Sequence, residues 1–197
     1  TRVNPADGSR RVALTLSGAH QSVVQDGLLG MALHPDLLTG RGRDYVYLAY
    51  TYDADPGAAL SRRMRVDRYT YDAATSTLGA PVRVIDNLPA GDDHGGGRLV
   101  VGPDGKLYLS RGDHGANFLG NYCLANRAQD LPDAGAVAAR DWSTYEGKIL
   151  RMELDGAIPA DNPMIRGVRS HIYSYGLRNP QGLAFGPTGR LYASEHG

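Results

Sequence analysis

Asp92-Asp93-His94-Gly95-Gly96-Gly97-Arg98 sets two carboxylates beside an imidazole, followed by glycines that let a second molecule approach the backbone closely. That combination suits a general base. An imidazole takes up a proton near neutral pH, a neighbouring carboxylate orients it and stabilises the imidazolium, and a base so placed contributes about 10²–10⁴ in rate. The same residue types also form polar surface turns, so the triplet alone leaves both readings open. A second carboxylate, Asp113 in Arg111-Gly112-Asp113-His114-Gly115, follows the hairpin that His94 precedes. Antiparallel strands return their outer ends to one sheet edge, so Asp113 either meets His94 there or caps its own turn amides. Gly176-Leu177-Arg178-Asn179-Pro180-Gln181-Gly182 offers a guanidinium and an amide just before a strand-like run. Arg178 there can polarise a carbonyl, clamp a carboxylate or bridge loops. Gln25-Asp26-Gly27 stands in the same relation to the run that follows it, while His171, alternating with apolar residues, reads as a hydrogen-bonded strand histidine.

Groups scattered over 150 positions act together only if repeated elements carry them to one place. Three segments share a design in which an apolar strand meets a Pro-containing turn and then a Tyr-bearing strand. They are Gly30 to Asp36 with Asp44 to Ala49, Arg98 to Ser110, and Gly182 to Ser194. The last two are close copies, with Pro103 and Pro187 84 positions apart. In each turn Pro presets φ at the first corner and Gly accepts the positive φ that closes the hairpin. A second element repeats at nearly the same offset, 83 positions, between Arg68-Tyr69-Thr70-Tyr71-Asp72 and Arg151-Met152-Glu153-Leu154-Asp155. Arg2-Val3-Asn4-Pro5 reads as a third copy of it. Period-two alternation marks these runs as half-buried strands. A repeat of about four strands predicts an all-β chain built as blades of a β-propeller, with an ordinary β-sandwich as the alternative. Between about 114 and 145 the strand signal lapses, which predicts an insertion loop over one face, with a short helix in Asp133 to Ala139.

Composition supports this and excludes other classes. Gly 26 and Pro 11 rule out a helical bundle, and a Tyr count of 12 against Phe 2 suits half-exposed strands. Lys+Arg 21 balance Asp+Glu 21, so the electrostatic footprint that nucleic acid or an anionic membrane surface demands is missing. A neutral small molecule or a protein partner is expected instead. Cys123 is the single cysteine and can form neither an internal disulfide nor a thiolate zinc site by itself. Apolar runs fall far short of the roughly 20 residues of a membrane helix. No phosphate loop, zincin motif or dinucleotide fingerprint occurs. The chain opens on Thr1 and closes on Gly197 directly after a strand-like run, so both ends read as cut.

Several runs together resemble the soluble quinoprotein glucose dehydrogenases and the related aldose sugar dehydrogenases. They are Gly27 to Asp36, His94 to Asp104, Gly112-Asp113, Tyr145 to Arg151, Leu154-Asp155-Gly156, Asp161-Asn162-Pro163 and Arg178 to Ala184. The resemblance implies a six-bladed propeller, of which residues 1–197 are a partial set of blades lacking the N-terminal blade and the C-terminal half. It implies pyrroloquinoline quinone (PQQ) and Ca2+ as cofactors, and oxidation of the anomeric carbon of glucose or another aldose to the lactone. An external electron acceptor, a homodimer at full length, and a periplasmic or secreted location follow from it as well. By this resemblance His94 is the base, Asp113 its supporting carboxylate and Arg178 the cation beside the quinone oxygens. Asn179 contacts the cofactor, Gln25 and Asp93 face the sugar with His94, and Gly197 gives a backbone carbonyl to calcium. Phe118 and Leu119 depart from the more polar residues of the glucose enzymes near the sugar mouth. A calcium-dependent lactonase-like hydrolase and a non-catalytic sugar- or protein-binding propeller are the alternatives.

Overall fold

The computed structural model describes residues 1–22, 25–57, 59–116 and 119–197, with nothing said of the Leu119 side chain. The described residues are all-β apart from two short helical turns. A small hairpin, β1 (Arg2–Val3) and β2 (Arg10–Arg11), precedes the first large sheet. That sheet is an antiparallel meander of β3 (Leu28–Leu33), β4 (Tyr45–Asp53), β5 (Arg62–Asp72) and β6 (Thr77–Pro89), paired in chain order. The second sheet takes β7 (Gly96–Val101) and β8 (Leu107–Arg111), then, after the helical turn α1 (Ala134–Ala138), β9 (Lys148–Met152). Past a minor hairpin of β10 (Met164–Ile165) and β11 (Val168–Arg169), β12 (Ile172–Tyr175) completes it in the order β12-β9-β8-β7. A last hairpin pairs β13 (Pro180–Phe185) with β14 (Leu191–Glu195).

Period-two side chains stack these layers. In β4, Tyr47 and Ala49 face the core shared with the second sheet, while Val46, Leu48, Tyr50 and Tyr52 pack on the opposite side. In β8, Leu107 and Leu109 face that shared core, and Tyr108 turns the other way onto Leu183 of the third hairpin. A strand buried on both faces must be largely apolar, which is how β4 reads, while β8 is apolar from Leu107 to Leu109 and ends on the buried polar Ser110 and Arg111. The repeated turns close alike. Gly102 donates to the Lys106 carbonyl at 2.8 Å and Gly186 to the Arg190 carbonyl at 2.9 Å, and Gly105 and Gly189 hold φ of +72° and +76°. Of the two strands predicted from the 83-residue offset, 68–72 lies wholly in β5 and 151–155 only as far as Met152 in β9, because Glu153 to Gly156 form a turn; β5 and β9 both hold the third position of their sheets.

The leading strands β3, β7 and β13 lie against one another in succession. Gly30 makes the first contact possible, because a Cβ there would sit 2.0 Å from the Gly97 carbonyl oxygen. Between β8 and β9 the described chain carries a 3-10 turn at Leu119–Asn121 and α1, which starts where Asp133 accepts from the Ala136 amide at 2.7 Å. Among the described residues no helix is long and apolar enough to cross a membrane.

Candidate active site

Because the three leading strands run side by side, the loops that enter them meet at one edge. Gln25 donates its backbone amide to the Asp92 carbonyl at 2.8 Å, and its side-chain oxygen lies 3.4 Å from Nε2 of Gln181. Between these two loops lies the one that presents His94, a buried residue with a left-handed φ of +43°. Non-glycine residues adopt that conformation only where surrounding contacts over-determine it. Here the backbone is crowded against its neighbour, since a Cβ on Gly112 would fall 1.8 Å from the His94 carbonyl oxygen.

Both ring nitrogens of His94 are engaged. Nδ1 lies 2.7 Å from Oδ1 of Asp113, and Nε2 lies 3.1 Å from Nη1 of Arg178, 84 residues further along the chain. A guanidinium has no acceptor. Nε2 must therefore offer a lone pair to Arg178, and Nδ1 must carry the hydrogen that it donates to Asp113. Asp113 is itself fixed, accepting from the Gly115 amide at 3.0 Å and from Nδ2 of Asn126 at 3.4 Å. Its own amide donates to the Arg178 carbonyl at 2.7 Å, so the base loop and the cation loop are tied together through the backbone as well. Asp113 thus both caps its turn and faces the histidine.

The other expected residues surround this triad. Asp93 accepts from the His94 amide at 2.8 Å, and its second oxygen lies toward Gly115. The Arg178 amide donates to the Glu195 carboxylate. Gly197 packs on Arg178, where a Cβ would come within 2.5 Å of Cδ. Asn179 is wholly buried, and among the described residues both polar atoms of its side chain lack a partner. Such an amide calls for a ligand to complete it. Together with the adjacent guanidinium it fits an anionic, planar quinone. For calcium the described residues supply no group of three or more Asp, Glu, His or Cys side chains. Phe118 falls outside the described residues, as does the Leu119 side chain. His171 is a satisfied structural histidine, with Nδ1 3.2 Å from the Tyr145 hydroxyl and Nε2 3.0 Å from the Gly156 carbonyl oxygen.

Four participants escaped the sequence reading: Arg111, His114, Asn126 and Gln181. Asn126 and His114 sit in or beside the insertion, where no periodicity predicts orientation. Arg111 and Gln181 stood inside quoted motifs, next to residues that looked more reactive. His114 is buried, and burial pushes its imidazole below the usual range while Glu146, 3.5 Å away, opposes the shift.

The family profile described as Glucose / Sorbosone dehydrogenase matches residues 3–197. The chain belongs to the glucose/sorbosone dehydrogenase family. It is 44% identical over 199 residues to quinoprotein glucose dehydrogenase B of Acinetobacter calcoaceticus, a match that spans 100% of this chain and 41% of that protein. It is 33% identical to the aldose sugar dehydrogenase YliI of Escherichia coli K12, over 88% of this chain and 41% of the relative. Among solved structures, the PQQ-bound aldose sugar dehydrogenase of Streptomyces coelicolor superimposes with a TM-score of 0.73 at 35% identity. That match covers 99% of this chain and 49% of the other. This member of the glucose/sorbosone dehydrogenase family therefore spans about two fifths of the curated relatives and half of the solved one.

Proposed function

We propose that this chain forms part of a PQQ-dependent dehydrogenase that oxidises the anomeric carbon of glucose or another aldose to the lactone. The observation that carries the reading is the lone pair on Nε2 of His94, set by the hydrogen that Nδ1 gives to Asp113 and aimed at the Arg178 guanidinium. An imidazole in this tautomer needs no change of tautomer to accept a proton from a sugar hydroxyl at Nε2, once Arg178 releases that lone pair. Asp113 then stabilises the imidazolium, as a buried carboxylate bound to Nδ1 does in acyl-transfer triads. Arg178 moves its hydrogen bonds to the oxygens on which negative charge grows, where a positioned cation acts most strongly. When bound, the quinone supplies the two-electron acceptor for the hydride leaving C1. Asn179 would complete its amide on that group, and Gln25 and Asp93 would hold the sugar hydroxyls beside the base.

In this reading the two four-stranded sheets are successive blades of a six-bladed propeller, and β13–β14 opens a third. The site lies where their leading strands meet, and the 114–145 insertion covers that face. The half-length match to relatives supports placing the remaining blades outside these residues. Calcium, held in part by the Gly197 carbonyl, an external electron acceptor, a homodimer and a periplasmic or secreted location belong to the same proposal. The test is to supply the complete protein with PQQ and calcium, add glucose and follow cofactor reduction. A sugar-dependent spectral change supports an oxidoreductase. Its absence across a panel of aldoses points to a non-catalytic sugar-binding propeller.

A further inference from the structure

We infer that Arg111 is the positioning residue for the His94 base, a role that rests on the reading of His94 above. Arg111 ends β8 and is fully buried. Its Nη1 donates to the Gly95 carbonyl at 2.8 Å and its Nη2 to the Pro89 carbonyl, so one guanidinium grips both ends of the segment that carries Asp92, Asp93 and His94. Nη2 also lies 3.1 Å from Nε2 of His114, whose other nitrogen faces Glu146 at 3.5 Å. An arginine only donates, so His114 receives this bond as a neutral ring and passes its remaining hydrogen toward Glu146. The chain of contacts therefore runs from the end of the insertion, through β8, to the base loop.

Two features say that this is more than packing. First, among the described residues no carboxylate touches the Arg111 guanidinium and its Nε has no partner, and burial holds its pKa down to about 10 while the charge of Glu146 opposes the shift. A buried cation whose contacts among the described residues are carbonyls, a neutral ring and the Met64 sulfur is a poor source of stability, and an apolar residue of similar size often serves the fold as well or better. Second, the loop it grips is strained. The strain sits at His94, a non-glycine residue with a φ of +43°, and just beyond it the β7–β8 register shifts between Gly96 and Leu99. A left-handed histidine needs an external restraint, and Arg111 reaches the carbonyl of the very next residue.

The test compares Arg111→Met and Arg111→Lys with the parent protein, using the imidazole nitrogen signals of His94 in long-range proton–nitrogen NMR and steady-state sugar oxidation. The parent should show one tautomer, with hydrogen on Nδ1. Arg111→Met should stay folded with an unchanged or higher melting temperature, show His94 averaging between tautomers, and lose about 10²-fold in kcat with little change in KM, the scale expected for a base displaced by about 1 Å. Arg111→Lys, which keeps one carbonyl bond, should recover part of both signals. Unaltered His94 signals and unaltered kcat in Arg111→Met overturn the proposal. If that variant does not fold, the same unaltered pair in Arg111→Lys overturns it. The NMR readout needs no quinone. A protein that oxidises no sugar but whose His94 tautomer responds to Arg111→Met leaves the positioning role standing and removes the dehydrogenase reading.

Discussion

At the residue scale the account depends on hydrogens. His94 can act as a base only while Nδ1 carries its proton to Asp113, so Asp113→Asn, which can present its amide hydrogens to the ring and favour the opposite tautomer, should lower kcat far more than it changes KM. His94→Ala should cost about 10²–10⁴ in kcat/KM, the usual contribution of a positioned base. Arg178→Leu should lose about 10²-fold or more in kcat, because it removes a donor aimed at developing charge. It should also weaken quinone binding, measurable by titration of the cofactor absorbance. All three residues stand in short motifs that the sequence singles out, each with a turn-forming or loop-bridging reading beside it, and their roles as base, supporting carboxylate and cation came with the family resemblance. Arg111 was not singled out. A cation at the end of a strand reads as a surface residue, and only the coordinates show it buried with its donors on the Pro89 and Gly95 carbonyls.

At the element scale the repeat did most of the work. Pro103 and Pro187 marked two copies of one hairpin, and the 83-residue offset placed β5 and β9 in equivalent positions of their sheets. Strand alternation was legible because burying one face imposes a period of two. The 114–145 stretch was legible only as an interruption: its α1 turn has a visible cap at Asp133, but the contacts of Asn126 with Asp113 and of Glu146 with His114 follow no period. The junction between sheets yields a test. Gly30→Ala drives a methyl into the Gly97 carbonyl, and overpacking of this kind costs about 1–3 kcal/mol. Gly18→Ala, which meets nothing within 4 Å, should be near neutral. Urea midpoints of the two variants decide whether β3 and β7 approach as closely as described.

At the scale of the whole molecule, buried histidines couple stability to pH. Burial lowers the imidazole pKa of both His114 and His171. The unfolded chain, with ordinary values of about 6.5, then binds protons that the folded chain refuses. Stability should be at its full value above about pH 6.5 and fall as the pH drops below it toward the folded values. Urea denaturation from pH 8 to pH 5 should show this decline, and His171→Phe, which keeps the ring against Trp142 but gives up the bonds to Tyr145 and Gly156, should flatten it.

The central claim is that His94 and Arg178, drawn together from distant repeats, remove a proton and stabilise charge during the same two-electron oxidation of a sugar. Pre-steady-state reduction of the quinone in the PQQ- and calcium-loaded protein, with glucose carrying hydrogen or deuterium at C1, tests it most directly. The account predicts a slower reduction with deuterium in the parent and loss of the fast phase in His94→Ala. An equally fast phase in His94→Ala would contradict it.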